Sequence, residues 1–181
     1  MAQSASQQVA VVDEENRFLR WTSRAEVHAK RLPHRSVQVV IHDRRGRIVL
    51  QRRHPDKLTY PDTWDLSASG HVEACDYPDL TRPDHELDAV YDAVAEKELR
   101  EELGVSAPLE RLGAFGPEPN VHYEHLVFYR GVHDGPFVPQ ASEVAEIRAF
   151  DPPALQAFLR GSEKRTRSLE WLLAWLSRRS A

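Results

Sequence analysis

The segment from Asp84 to Val105 constrains this chain more than any other. Val90, Val94, Ala95, Leu99 and Leu103 recur at helical spacing and form one apolar stripe. Asp84, just after Pro83, suits an N-cap and Gly104 a stop, so the pattern predicts one helix over residues 84–105. Within KELREELGV, Glu98, Glu101 and Glu102 stand at i, i+3 and i+4, so their carboxylates leave neighbouring points of one helical face. Like charges at that spacing cost stability unless something neutralises them, and a hard divalent cation taking oxygen ligands is the natural partner. A solvated acidic face laced by pairs such as Lys97–Glu101 and Glu96–Arg100 is the alternative that the helix alone leaves open.

The flanking sequence reads as strands. SVQVVIHDRRGRIVLQRR predicts a hairpin turning at Asp43 to Gly46, with Val37, Val39 and Ile41 on one face. VAVVD and the run to Trp21 suit an earlier hairpin, and HPDKLTYPDTW a loop entering a short strand at 64–69. RLGAF, HYEHLVFYRGV and VAEIRAF read as later strands. Helices follow at about 152–179: a short one from Pro152 to Leu159, then one whose Leu169, Leu172, Leu173 and Leu176 stand at i, i+3, i+4 and i+7. That stripe is expected to pack on the sheet, with a dimer surface including Trp171 and Trp175 as the alternative. The class expected is α/β (α+β), a mixed β-sheet sandwiched between helices. Residues 1–8 are small and polar and are expected to be disordered, leaving 9–181 as a single domain.

Composition excludes several roles. A formal net charge of -4 supplies no basic field to attract a polymeric nucleic acid. No apolar stretch approaches the roughly 20 residues that span a bilayer, so no membrane partner is expected. The single cysteine, Cys75, allows neither an internal disulfide nor a thiolate metal framework, which points to a reducing, cytoplasmic setting.

GHVEA followed by EKELREELGV resembles the Nudix box, G-x5-E-x7-R-E-U-x-E-E-x-G-U, where U is bulky and aliphatic. Every fixed position after the arginine is met by Glu98 to Val105. The arginine itself is Lys97, which keeps the charge but not the planar fork. Gly70 precedes Lys97 by 27 residues where the pattern has 14, so about 13 are inserted, at about 75–88. Counting back from Lys97 reaches Ala89, which leaves Glu86 or Asp88 as candidates for the first acid of the box, or that role vacant. The resemblance implies a Nudix-type hydrolase in which Mg²⁺ or Mn²⁺ clamps a diphosphate while water attacks phosphorus. It places the metal on Glu98, Glu101 and Glu102 with the backbone near Gly70, and implies catalytic roles for Glu98 and Lys97. Glu143, before the last strand, is the candidate for a further catalytic carboxylate.

A wider stretch, VHAKRLPHRSVQVVIHDRRGRIVLQRRHPDKLTYPDTWDLSASGHVEA, is similar to the Nudix subgroup around type I isopentenyl-diphosphate isomerase. In those enzymes histidines equivalent to His28, His34 and His71 join two glutamates around a divalent metal, and imidazole suits such a site. The catalytic cysteine of the isomerases is Ser69 here, a far weaker acid, and their E-x-E pair is His122-Tyr123-Glu124. The basic residues Arg52, Arg53 and Lys57, with His71 and Glu124, are the candidates for holding substrate. The expected function is metal-dependent hydrolysis of a diphosphate linkage in a nucleoside diphosphate derivative or related small molecule, by a monomer or homodimer. Isomerisation of isopentenyl diphosphate, or non-catalytic ligand binding, are the alternatives. The insertion, next to the metal ligands, is placed to act as a lid or to extend the pocket.

Overall fold

The structure, a computed structural model, describes residues 8–179. Among these residues nine strands form one mixed sheet: β1 (Gln8–Val12), β2 (Phe18–Ser23), β3 (His34–His42), β4 (Ile48–Arg53), β5 (Trp64–Asp65), β6 (Ala68–His71), β7 (Leu109–Phe115), β8 (Glu124–Val132) and β9 (Val144–Phe150). Four α-helices accompany them, α1 (Arg24–Lys30), α2 (Leu87–Leu103), α3 (Pro152–Arg160) and α4 (Arg167–Arg179). Residues 1–7 of the expected disordered N-terminus lie outside the described residues, whereas Gln8 opens β1. No described helix is long and apolar enough to cross a membrane.

Strand β3 pairs with four other strands, β1, β4, β6 and β8. β8 runs parallel to it from His34↔Glu124 to His42↔Val132. Its other edge is taken in turn by β1 at His34, by β6 from Ser36 to Val39 and by β4 at Ile41 and His42. Alternation along β3 separates two cores. Val37, Val39 and Ile41 join Val90, Val94, Leu99 and Leu103 of α2. Val40 joins Phe158 of α3 and the predicted stripe of α4, Leu169, Leu172, Leu173 and Leu176. Each fully buried leucine of this kind contributes roughly 2 kcal/mol of apolar transfer. The sheet therefore lies between α2 on one face and α3 with α4 on the other, as expected, and Trp171 and Trp175 stand edge-on to Phe115.

The β3–β4 hairpin turns as the sequence suggests: Gly46 adopts φ 80, and Asp43 Oδ1 accepts from the amides of Arg45 (3.0 Å) and Arg47 (2.8 Å). Three expectations need correction. The strand foreseen at 64–69 is two strands, β5 and β6, broken at Leu66 and Ser67. Helix α1 was not foreseen, although Ser23 caps it by accepting from Glu26 N (3.2 Å) and Ser-x-x-Glu is a sequence signature of such a start. The third concerns α2, which begins at Leu87 rather than Asp84. Glu86 sits at its N-cap with φ 51 and no side-chain cap, while Gly104 ends it at φ 68.

Asp84 is committed elsewhere. Its carboxylate accepts from Phe18 N and from the guanidinium of Arg35, which is fully buried. Arg35 also donates from Nε to Asn16 Oδ1 (2.9 Å), from Nη1 to Tyr77 Oη (3.1 Å) and Pro83 O (2.8 Å), and from Nη2 to Asn16 O (2.7 Å). The inserted segment is thus wrapped around a cation on the α2 face of β3. Arg35→Met removes all five bonds, two of them to the buried Tyr77 Oη and Pro83 O, and is expected to cost about 3 kcal/mol. Urea unfolding checks this: a lowered midpoint at unchanged m-value is expected, and a loss below about 1 kcal/mol contradicts it.

Candidate functional site

Strand β6 divides the candidate chemistry into two parts. Ala68 and Gly70 turn towards α2, whereas His71 turns towards His28 and His34. On the α2 side a Cβ at position 70 would overlap the Glu98 carboxyl, so only glycine lets that side chain lie this close to β6. Glu102 is 5% exposed, and its Oε2 accepts from Ser69 N (2.9 Å) and Gln51 Nε2 (2.6 Å). Burial, with the nearby Glu102 charge, pushes the Glu98 carboxyl up to about 8; burial pushes Glu102 up to about 7. Glu101 is exposed. The oxygens of these glutamates do not converge, and among the described residues the trio with ligand atoms within 4.8 Å is a different one.

Lys97 Nζ lies 2.8 Å from Asp76 Oδ1 and 3.6 Å from Glu98 Oε1. Asp76 therefore occupies the place of the first box acid, and the two candidates from sequence do not. Glu86 lies by His85 (3.9 Å), and Asp88 holds Arg111 (2.5 Å). Asp76 is the sixth residue after Gly70, so counting forward from the glycine locates it and puts the insertion between Asp76 and Lys97. A 3₁₀ turn at Ala74–Asp76 fixes this acid, whose Oδ2 accepts from Glu73 N (2.8 Å).

On the other side of β6, His28 from α1, His34 from β3 and His71 from β6 bring one ligand atom each to within 4.8 Å of one another. His34 Nδ1 lies 2.8 Å from Leu32 O; a carbonyl only accepts, so this nitrogen carries the proton and Nε2 presents a lone pair. His28 Nε2, His34 Nε2 and His71 Nδ1 are all buried without a hydrogen-bond partner. Burial pushes His34 down to about 4 and lowers His28 and His71 as well, which keeps the rings neutral, the form that ligates metals. Glu124 Oε1 stands 4.0 Å from His34 Nε2. Three unpartnered, neutral imidazoles beside a carboxylate fit a divalent ion of the imidazole-preferring kind.

A cavity of about 740 Å³ opens on this histidine side. Of the residues singled out in the sequence, His28, Arg53, Ser69, Gly70, His71, His122, Tyr123 and Glu124 line it. Arg52 points to the opposite face of β4 and pairs with Asp62 (3.0 Å) and Glu146 (3.3 Å), away from the cavity. Lys57 is paired with Glu143, so neither the expected substrate cation nor the expected loop carboxylate reaches the cavity wall. Glu98, Glu101 and Glu102 stand behind Ser69 and Gly70 rather than on the wall itself, and nothing from residues 75–88 lines it, contrary to the lid expected there. The cations that sequence reasoning missed are Arg24, Arg31 and Arg167. Arg24 was legible only with α1 recognised, since it then lies one helical turn before His28.

Gly70→Ala is expected to drive Glu98 off its place beside β6 while the two cores remain. Divalent-metal affinity should fall about tenfold or more with the melting temperature nearly unchanged, as calorimetric metal titration and thermal melts of the same variant would show. Unaltered metal affinity contradicts the placement of Glu98.

A family model described as NUDIX domain matches residues 32–172. An uncharacterized Nudix hydrolase of Yersinia pestis is 32% identical over 171 residues, covering 94% of this chain and 86% of its own. A prenyl-diphosphate phosphatase of Methanosarcina mazei is 32% identical over 104 residues, 58% of this chain and 53% of its own. The crystal structure of DR0079 from Deinococcus radiodurans shares the fold, with TM-score 0.72 at 20% identity over 95% of this chain and 98% of the other. The box helix packed on its glycine, the Asp76–Lys97 pair and the extent of these matches lead to one conclusion: the chain belongs to the Nudix family and is a Nudix-type hydrolase.

Proposed function

We propose that this chain is a metal-dependent hydrolase of a diphosphate linkage in a nucleoside diphosphate derivative or related small molecule, working in a cytoplasmic setting. The observation that carries the reading is the pair of carboxylates, half-buried Glu98 and buried Glu102, packed against the Ser69–Gly70 backbone that also walls the cationic cavity. Mg²⁺ or Mn²⁺ held by Glu98, Glu101 and Glu102, with the backbone at Gly70, would neutralise phosphate oxygens and acidify a bound water. Glu98, lying against Gly70 and beside Lys97, is the carboxylate placed to take the proton that such a water releases. Lys97, itself braced by Asp76, fixes Glu98 from the other side. Arg53 is half of a buried pair with Asp65 (3.8 Å) and keeps its place in the wall by donating to Thr59 O. With Arg24 it supplies the charge that receives a diphosphate.

The histidine trio supports the likeness to the isomerase subgroup, with His28, His34, His71 and Glu124 as holders of a second, imidazole-preferring ion. That observation favours isomerisation as the second reading. Against it stands Ser69, whose hydroxyl is a poor proton donor where the isomerases use a thiol. The Methanosarcina relative brings prenyl diphosphates onto the list of substrates worth testing.

Product release from nucleoside diphosphates, nucleotide sugars and prenyl diphosphates, with Mg²⁺, Mn²⁺ or EDTA, tests the reading. EDTA-sensitive cleavage is expected, and Glu102→Gln should lower kcat/KM by about 100-fold or more with the fold retained. Isomer formation without cleavage would favour the second reading, and silence from every compound the non-catalytic one. Metal analysis tests the histidines separately: about one equivalent of zinc, manganese or iron is expected per chain, lost in His28→Asn and kept in Glu102→Gln. A chain that stays free of such metals after growth in their presence contradicts the second site.

A further inference from the structure

Glu102 is bound in an unusual way for a buried carboxylate. Both of its protein donors, Ser69 N and Gln51 Nε2, land on the same oxygen, Oε2. A carboxylate has about four lone-pair sites, and this arrangement leaves those of Oε1 unused by the protein. One donor is backbone and cannot be varied by sequence; the other is a side chain on β4, 51 positions earlier in the chain.

Gln51 is itself fully buried, and its orientation is settled by what it faces. The carboxamide nitrogen meets two acceptors, Glu102 Oε2 (2.6 Å) and Ser67 O (3.2 Å), so both of its protons are used and the amide cannot be turned over. Ser67 is anchored in turn: its Oγ accepts from Ile41 N (2.7 Å) and donates to Val49 O (2.5 Å), tying β3, β4 and the β5–β6 break into one frame. Gln51 Oε1 is buried without a hydrogen-bond partner. A residue placed only to fill space would be apolar at this depth, because an unpartnered buried amide oxygen costs stability. The cost is consistent with a residue kept for its N–H groups.

We infer that Gln51 is a positioning residue for the metal-binding carboxylate: it pins Glu102 by Oε2 and so presents Oε1 to the divalent cation. This rests on the metal-site reading of Glu102 given above. Gln51 touches no substrate in this account; its effect passes through Glu102. Hydrogen bonds that orient a ligating carboxylate are typically worth about 10- to 100-fold in metal affinity.

The test uses the whole protein and Mg²⁺ as the probe, since Mg²⁺ takes oxygen ligands and leaves the imidazoles aside. Calorimetric titration compares the unmodified chain with Gln51→Met, Ser67→Ala and Glu102→Gln. Gln51→Met should weaken Mg²⁺ binding about 10- to 100-fold. Ser67→Ala, which breaks the frame but leaves Gln51 its acceptors, should lower the melting temperature without moving Mg²⁺ affinity. Glu102→Gln should abolish binding. Gln51→Met binding Mg²⁺ like the unmodified chain, with Glu102→Gln unable to, overturns the inference alone; Glu102→Gln binding normally overturns the metal-site reading beneath it. Should Gln51→Met fail to fold, the side-chain NH₂ signals of Gln51 in ¹⁵N-resolved NMR of the unmodified chain decide. They should stay protected from solvent exchange when Mg²⁺ saturates the site, and loss of that protection on adding Mg²⁺ overturns the proposal.

Discussion

Alternation along β3 is the constraint from which the site follows. Odd-numbered residues from Arg35 to Ile41 face α2, and even-numbered ones from His34 to Val40 face the cavity and the α4 core. A one-residue slip would exchange the two sets. That slip is opposed from both sides of the strand, because Arg35 is held by five hydrogen bonds on one face and His34 is fully buried on the other. The same alternation passes to β6 through the Ser36↔His71 to Val39↔Ala68 register, which sets Gly70 against Glu98 and His71 among the histidines.

The consequence is a functional site with two chemistries on either side of one strand. The box carboxylates stand on the α2 side, a donor type that hard cations favour, and three imidazole nitrogens gather on the cavity side, a donor type that borderline ions favour. Only the Ser69–Gly70 backbone separates them. The arginines of the cavity lie on the histidine side, so in the proposed reading anionic substrate and both candidate metal centres would meet at this short segment.

What was legible in the sequence was local. The apolar stripe of α2, its Gly104 stop, the turn at Asp43 to Gly46 and the α4 stripe all depend on neighbours within two turns or one hairpin. What failed depended on distant partners. Asp84 reads as an N-cap until Arg35, 49 positions earlier, takes its carboxylate. Arg52 and Arg53 look equivalent in sequence, and only the β4 register sends Arg53 into the cavity wall and Arg52 outwards to Asp62 and Glu146. Lys57 and Glu143 look like separate functional groups in sequence, yet they pair with each other across 86 positions. Asp76 and α1 are different: the spacing after Gly70 and the Ser23 cap were both present in the sequence.

Anomalous diffraction from crystals equilibrated with Mn²⁺ tests the central claim most directly, since Mn²⁺ accepts both oxygen and imidazole ligands. The account predicts two peaks separated by the β6 backbone, one at Glu98 and Glu102 beside Gly70, the other among His28, His34 and His71. A map with no peak at the glutamates, or with the histidines filled only by water, would contradict it.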